Sequence, residues 1–304
     1  MTPPMNKPIS ENKLIALLAA VQFVNVLDFM IVMPLGPDFA AALGIPTSQL
    51  GFIGGSYTGA AAVSGFAGSF FLDRFDRKKA LVFAILGLVI GTVAGGFAVG
   101  FGSLLCARIL AGAFGGPATS LSISILADFV PPERRGRAMG FVMGSFSLAS
   151  IFGVPAGLEM ARRYGWRFPF FAVAGLAFLV IIFASRILPS MKKQLENRKQ
   201  ASLLDSLKTL RKPEVTLAHL SIALVMFGSF LMIPNFSAYF QHNLGYPRES
   251  LGTLYFCGGL TALSAMLITG RLIDRFSSFS MGFIGTVFVI SAVYMGYYRF
   301  PPLL

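Results

Sequence analysis

Apolar residues run through this chain in nine long stretches separated by short polar segments. A ~30 Å hydrocarbon layer needs about 20 residues at 1.5 Å per residue, and each stretch is long enough to cross one. The pattern predicts helices over 14–35, 49–72, 80–101, 103–127, 138–159, 168–188, 215–240, 249–273 and 280–298. Helices are required because a lipid-facing backbone must satisfy its own hydrogen bonds, and these runs are too long and continuous for tilted barrel strands. The expected fold class is therefore an all-α polytopic membrane bundle. The first run lacks a small-residue cleavage signal at its end and reads as a retained span.

The longest polar stretch, from Pro189 to Pro213, divides six predicted spans from three. It predicts an N-terminal bundle over 1–188, a linker over 189–213 and a second bundle over 214–304. Sliding the second part on the first gives a gapless match at an offset of 201. Leu43, Gly44 and Pro46 recur as Leu244, Gly245 and Pro247, Leu50-Gly51 as Leu251-Gly252, and Asp73-Arg74-Phe75 as Asp274-Arg275-Phe276. Spans 1 and 2 are thus repeated as 7 and 8. Because each repeat unit would hold an even number of spans, the two units share one orientation. On this reading the second unit stops three helices short.

Charge then orients the bundle. Of 25 Lys and Arg, 19 lie on the side of the N-terminus and 4 on the other, with Arg108 inside a span and Arg299 at the chain end. The positive-inside rule places the N-terminus in the cytoplasm. "RRYGWR", 162–167, puts three arginines on the opposite side, next to Glu159. Mean hydropathy is +0.72 and 12% of residues are charged, too few for an ordinary soluble domain. The net charge of +12 reads as topology signal, so no nucleic-acid partner is expected. Cys106 and Cys257 lie inside apolar runs and read as packing residues, and no metal or cofactor is expected.

Chemistry concentrates on two intramembrane charges. Asp28 stands in "VQFVNVLDFMIVMPLG", seven residues from the end of span 1, roughly 10 Å deep. Arg108 lies five residues into span 4, roughly 8 Å deep from the same face. Opposite charges at matched depth can neutralise each other, and an ionisable residue at such depth is a functional candidate by default. Gln22 and Asn25 extend a polar stripe along span 1, and Asn235 is the corresponding candidate in span 7; all three are expected to line a cavity. In "RILAGAFGGP", Gly112 and Gly116 follow Arg108 at i+4 and i+8, so a neighbouring backbone can approach closely. Pro155 is expected to kink span 5.

These segments resemble the major facilitator superfamily, in particular its proton-coupled branch of drug and sugar exporters. "GFAGSFFLDRFDRKK", 65–79, is similar to the family's loop between spans 2 and 3, with Ser69 and Asp76 where the pattern has glycines. The turn there is expected to use a residue tolerant of positive φ, as Asp is. "LLCARILAGAFGGP", 104–117, looks like the family's span 4 motif. "GFVMGSFSLASIFGVPAGLEM", 140–160, resembles the span 5 antiporter motif; Gly144 and Gly153 keep its gap, while "GVPAG", with Pro155 and Gly157, replaces its Gly-Pro pair. The resemblance implies parallel six-span repeats and a conformational-switch loop made by Asp73, Arg74 and Arg77 with Asp274 and Arg275. It also implies that spans 1 and 4 face one cavity.

The function expected is a proton-driven exporter of a small drug-like or sugar-like solute, working by alternating access in a bacterial inner membrane, as a monomer when complete. Asp28 would stay ionised beside Arg108 and take a proton once substrate claims the arginine. The alternative is a truncated fragment that inserts but does not transport. No P-loop pattern supports nucleotide-driven pumping, and no cluster of His, Cys and carboxylates supports a membrane enzyme.

Overall fold

The computed structural model describes residues 10–189, 212–276 and 278–298. The side chains of Asp73, Asn235, Asp274 and Arg275 lie outside the described set, as does nearly all of the predicted linker. The architecture is all-α. The helices are α1 (Glu11–Val32), the short α2 (Gly36–Leu43), α3 (Leu50–Phe71), α4 (Arg77–Gly96), α5 (Phe101–Phe129), α6 (Pro132–Met143), α7 (Ser145–Leu148), α8 (Val154–Tyr164), α9 (Phe168–Ile187), α10 (Pro213–Ala238), α11 (Leu251–Phe276) and α12 (Ser278–Tyr298). Among the described residues, six helical stretches are long and apolar enough to cross a membrane, including Glu11–Val32, Phe101–Phe129 and the composite Pro132–Tyr164. We call the end of the bundle that carries residue 10 the N-side and the opposite end the far side.

Each of the nine predicted runs holds a helix, with two departures in detail. Span 1 ends at Val32, and the chain then turns into α2, whose Pro37 occupies the first helical turn, where a missing N–H costs nothing. Span 5 runs through α6, α7 and α8 with a π-helical turn at Ala149–Gly153 between the last two. Pro155 sits just after that turn. The ring of an in-helix proline clashes with the carbonyl four residues back, and the wider turn accommodates it.

The internal repeat has a local geometric counterpart. Gly44 ends α2 with φ +64° and Gly245 stands at φ +62°, both in the left-handed region that glycine enters freely. Pro46 and Pro247 follow, each leading into a one-turn 3-10 helix (Thr47–Gln49 and Arg248–Ser250) that runs into α3 or α11. The same turn is built twice because the same Leu-Gly-x-Pro stands in both places.

Within the first six spans α5 is central, packed along α3 and α4 and touching α1. Two apolar clusters fill this bundle. One, on the N-side, gathers Leu18, Val21, Leu81, Ile85, Ile125 and Val142. The other, on the far side, gathers Ile31, Leu35, Phe39, Ile53, Leu104 and Phe170, and it takes in Leu251 of α11. Trp166 is buried there, between Phe39 and Phe170. Cys106 and Cys257 are both exposed rather than packed inside. The arginines of "RRYGWR" are largely engaged: Arg162 and Arg163 pair with Glu159, and Arg167 donates to the Ala98 carbonyl at 3.0 Å while lying over the Trp166 ring.

Close helix contact depends on glycines. A Cβ at Gly112 would stand 2.2 Å from the Tyr57 carbonyl oxygen, and one at Gly116 2.2 Å from that of Ala61. Both contacts are to the α3 backbone. Gly153 and Gly157 receive the side chains of Leu27 and Ile31, while Gly144 meets no other helix closely. On the far side, Gly252 of α11 lies against Pro155, Ser150 donates to the Tyr255 carbonyl at 3.2 Å, and Arg248 forms a forked ion pair with Asp38.

Candidate functional site

Where the two apolar clusters meet, α1, α3, α4 and α5 turn polar groups toward one another. Asp28 is 0% exposed and Arg108 1%. Arg108 grips the carboxylate with both terminal nitrogens, Nη2 to Oδ2 at 2.6 Å and Nη1 to Oδ1 at 3.2 Å, and Nη2 also reaches the Asp28 carbonyl at 3.4 Å. A forked pair of this kind is the strongest geometry available to a carboxylate. Without it, either charge would be stranded in apolar surroundings at a cost of several kcal/mol. Thr92 of α4 adds a third donor, its Oγ1 standing 2.8 Å from Asp28 Oδ1. The guanidinium lies over the Tyr57 ring, 4.9 Å from its centroid, an attractive placement for a cation. Among the described residues, Arg108 Nε is a buried donor with no hydrogen-bond partner.

A second set of bonds continues toward the N-side. Tyr57 donates its hydroxyl to Asn25 Oδ1 at 2.7 Å, and Asn25 Nδ2 donates to Thr119 Oγ1 at 2.7 Å and to the Gly115 carbonyl at 3.0 Å. Thr119 in turn donates to Gln22 Oε1 at 3.3 Å. The polar stripe of span 1 is therefore knitted to α3 and α5, and Gln22 and Asn25 are both buried.

The reason these side chains converge lies in the glycines. Gly112 and Gly116 draw the α3 backbone onto α5, which brings Tyr57 under Arg108 and within reach of Asn25. Gly91 does the same for α4, where a Cβ would stand 2.5 Å from the Ala111 nitrogen, and Thr92 is the next residue.

At the N-side, Arg77 donates to the Ser124 carbonyl at 3.0 Å and is ion-paired with Asp128, tying the start of α4 to the end of α5. Arg74 is exposed. The turn before α4 differs from expectation: Asp76 has φ −58° and caps the helix, its Oδ1 accepting from the Lys78 backbone N–H at 2.9 Å. An aspartate satisfies an orphan N–H at a helix start, so the glycine-to-aspartate exchange supplies a cap instead of a positive-φ turn.

Reading the sequence missed Thr92, Tyr57 and Thr119. Thr92 left a signal, since it is the lone hydroxyl in the apolar part of α4 and lies four residues from the helix's far end, a depth close to that of Arg108. Tyr57 and Thr119 left none beyond their places in Gly- and Ala-rich helices.

Intramembrane charges, glycine-mediated packing and a doubled Leu-Gly-x-Pro turn are features of a polytopic transporter bundle. A family model described as Major Facilitator Superfamily matches residues 18–303, and the chain belongs to that family. It is similar to Multidrug resistance protein 2 of Bacillus subtilis (strain 168), 26% identical over 89% of this chain and 70% of that protein. It is similar also to the purine ribonucleoside efflux pump NepI of Escherichia coli, 24% identical over 90% of this chain and 67% of the pump. Its fold resembles the crystal structure of a bacterial homologue of the human lysosomal transporter Spinster in an inward-facing, unoccupied conformation. That match has a TM-score of 0.69 and 20% identity, over 90% of this chain and 64% of the other. The chain spans about two thirds of the length of the curated relatives it matches.

Proposed function

We propose that this protein is a secondary active transporter that exports a small organic solute in exchange for protons by alternating access, with Asp28 and Arg108 as its coupling pair. The observation that carries the reading is the complete burial of a forked ion pair between the two apolar clusters of the first bundle. Such a pair is stable only while intact. If solute engages Arg108, whose Nε still has a free proton to donate, Asp28 is left as an unpaired carboxylate in a dry site and binds a proton in compensation. Solute and proton then alternate at one pair, which is the requirement for exchange.

The positive-inside distribution supports a cytoplasmic N-terminus, and the relatives support a bacterial inner-membrane exporter of drug-like or nucleoside-like solutes. We assign Arg77 and Arg74, with Asp73, Asp274 and Arg275, to N-side helix ends and turns that switch between conformations, and Asn235 to the solute path with Gln22 and Asn25. The transporter is taken to act as a monomer.

A second reading is favoured by the same burial: the pair is an internal brace of the first bundle with no part in coupling. Membrane vesicles separate the two. Wild-type protein is expected to couple addition of ribonucleosides, sugars or cationic dyes to proton movement across the vesicle membrane. Asp28→Asn, and the charge-balanced D28N/R108Q double variant, are expected to insert and yet move no protons. Proton movement at the wild-type rate in the double variant would leave only the brace.

A further inference from the structure

We propose that Thr92 is the positioning residue that keeps Asp28 hydrogen-bonded in both of its protonation states; the inference rests on the reading that Asp28 exchanges a proton. The Thr92 hydroxyl is 1% exposed and lies 2.8 Å from Asp28 Oδ1 and 2.8 Å from the Leu88 carbonyl oxygen. A hydroxyl has one proton and two lone pairs, and here both neighbours are acceptors, so its proton can point at only one of them at a time.

When Asp28 is ionised the hydroxyl proton points at the carboxylate. The Leu88 carbonyl then keeps only its ordinary helical partner, which is sufficient. When Asp28 gains a proton, its new O–H can donate to Thr92 Oγ1 while the threonine proton swings through one rotation onto the Leu88 carbonyl. One proton has been added to Asp28, and the threonine has kept its own. No buried donor or acceptor of the three is left unmade in either state, so neither form carries an orphaned polar group. A valine in this place offers neither form a partner, and a serine offers both.

The charged or titratable groups around Asp28 do not supply this service. Arg108 from α5 can only donate, so it favours the ionised form alone. Tyr57 from α3 turns its face to Arg108 and gives its hydroxyl to Asn25. The charges of α8 pair among themselves at the far end, and the one charge of α9, Arg186, is in its last turn on the N-side. Among the described residues Thr92 is thus the neighbour able both to donate to Asp28 and to accept from it.

The test is infrared spectroscopy of purified Arg108→Gln, in which Asp28 has lost the guanidinium and, on the coupling reading, takes up a proton without any solute. Its carboxyl C=O band is the one that D28N/R108Q lacks. Adding Thr92→Ser is expected to leave that band in place, because the serine hydroxyl still accepts the Asp28 O–H. Adding Thr92→Val, or Thr92→Ala if the valine protein is obtained in poor yield, is expected to move the band to a higher wavenumber, as for a carboxyl group that has lost its hydrogen bond. A valine or alanine variant whose band matches that of the serine variant overturns the role of Thr92. If Arg108→Gln shows no carboxyl band that D28N/R108Q lacks, Asp28 takes up no proton when the arginine is gone, and both this inference and the coupling role beneath it are overturned.

Discussion

The close contact of α3 and α5 makes a sharp demand on Gly112. A Cβ there would lie 2.2 Å from the Tyr57 carbonyl oxygen, 2.8 Å from its carbon and 2.9 Å from the Tyr57 Cα, where ordinary contact begins at 3.4 Å. The obstacle is backbone and cannot rotate aside, so Gly112→Ala forces the helices apart by about 1 Å, at the upper end of the ~1–3 kcal/mol typical of overpacking. Alanine returns about 1 kcal/mol through its better helix propensity, leaving a net loss of about 2 kcal/mol. Gly116 faces the Ala61 carbonyl at the same 2.2 Å. One separation relieves both clashes, so the double variant should cost close to one single variant and well below the sum. Gly55 is the control: it sits on the same helix pair with nothing within 4 Å of its Cβ position, and Gly55→Ala should be neutral or stabilising by up to about 1 kcal/mol. Equilibrium unfolding of purified protein in detergent measures all four. A Gly112→Ala protein as stable as Gly55→Ala, or a double variant that loses the full sum, would refute the helix contact as described.

Other expectations follow from the ion pairs. Arg108→Gln alone should cost about 3–5 kcal/mol in the same unfolding assay, because it strands the Asp28 carboxylate, and D28N/R108Q should recover most of that loss. A double variant no more stable than R108Q would mean that Asp28 is not the partner whose burial matters. On the far side, Arg248 and Asp38 join α2 to the entry of α11, each about a quarter exposed, so their link is worth only about 1 kcal/mol. Arg248→Gln should therefore raise the reactivity of Ser150→Cys toward an impermeant thiol reagent by roughly fivefold, measured in a background lacking Cys106 and Cys257. The charge-swapped D38R/R248D should restore it, and equal labelling in all three would show that the far side does not open there.

The spans were legible because hydrophobic length is a property of the chain itself, and so was the depth match of Asp28 with Arg108, which needs only a rise per residue. The doubled turn was legible too, since Gly44 and Gly245 hold backbone conformations that few other residues accept. What stayed hidden was whatever depends on rotation about the helix axis. Thr92 and Tyr57 join the site because Gly91 and Gly112 set the separations of α4 and α3 from α5, and no single helix records that its neighbour carries the matching group. Asp76 was read for the wrong property: it was expected to tolerate a turn, but its carboxylate caps α4. Cys106 and Cys257 were misplaced for a related reason, since an apolar run has an exposed face and a packed face that composition alone does not separate.

Coupling itself is tested most directly in proteoliposomes with an imposed pH gradient and a solute that the wild-type protein carries. The account predicts that wild type concentrates the solute against its gradient. Asp28→Asn, which keeps Arg108 for the solute, should still exchange labelled for unlabelled solute but bring it only to equal concentration on both sides. Accumulation by that variant to the wild-type level would contradict the assignment of Asp28 and Arg108 as the coupling pair.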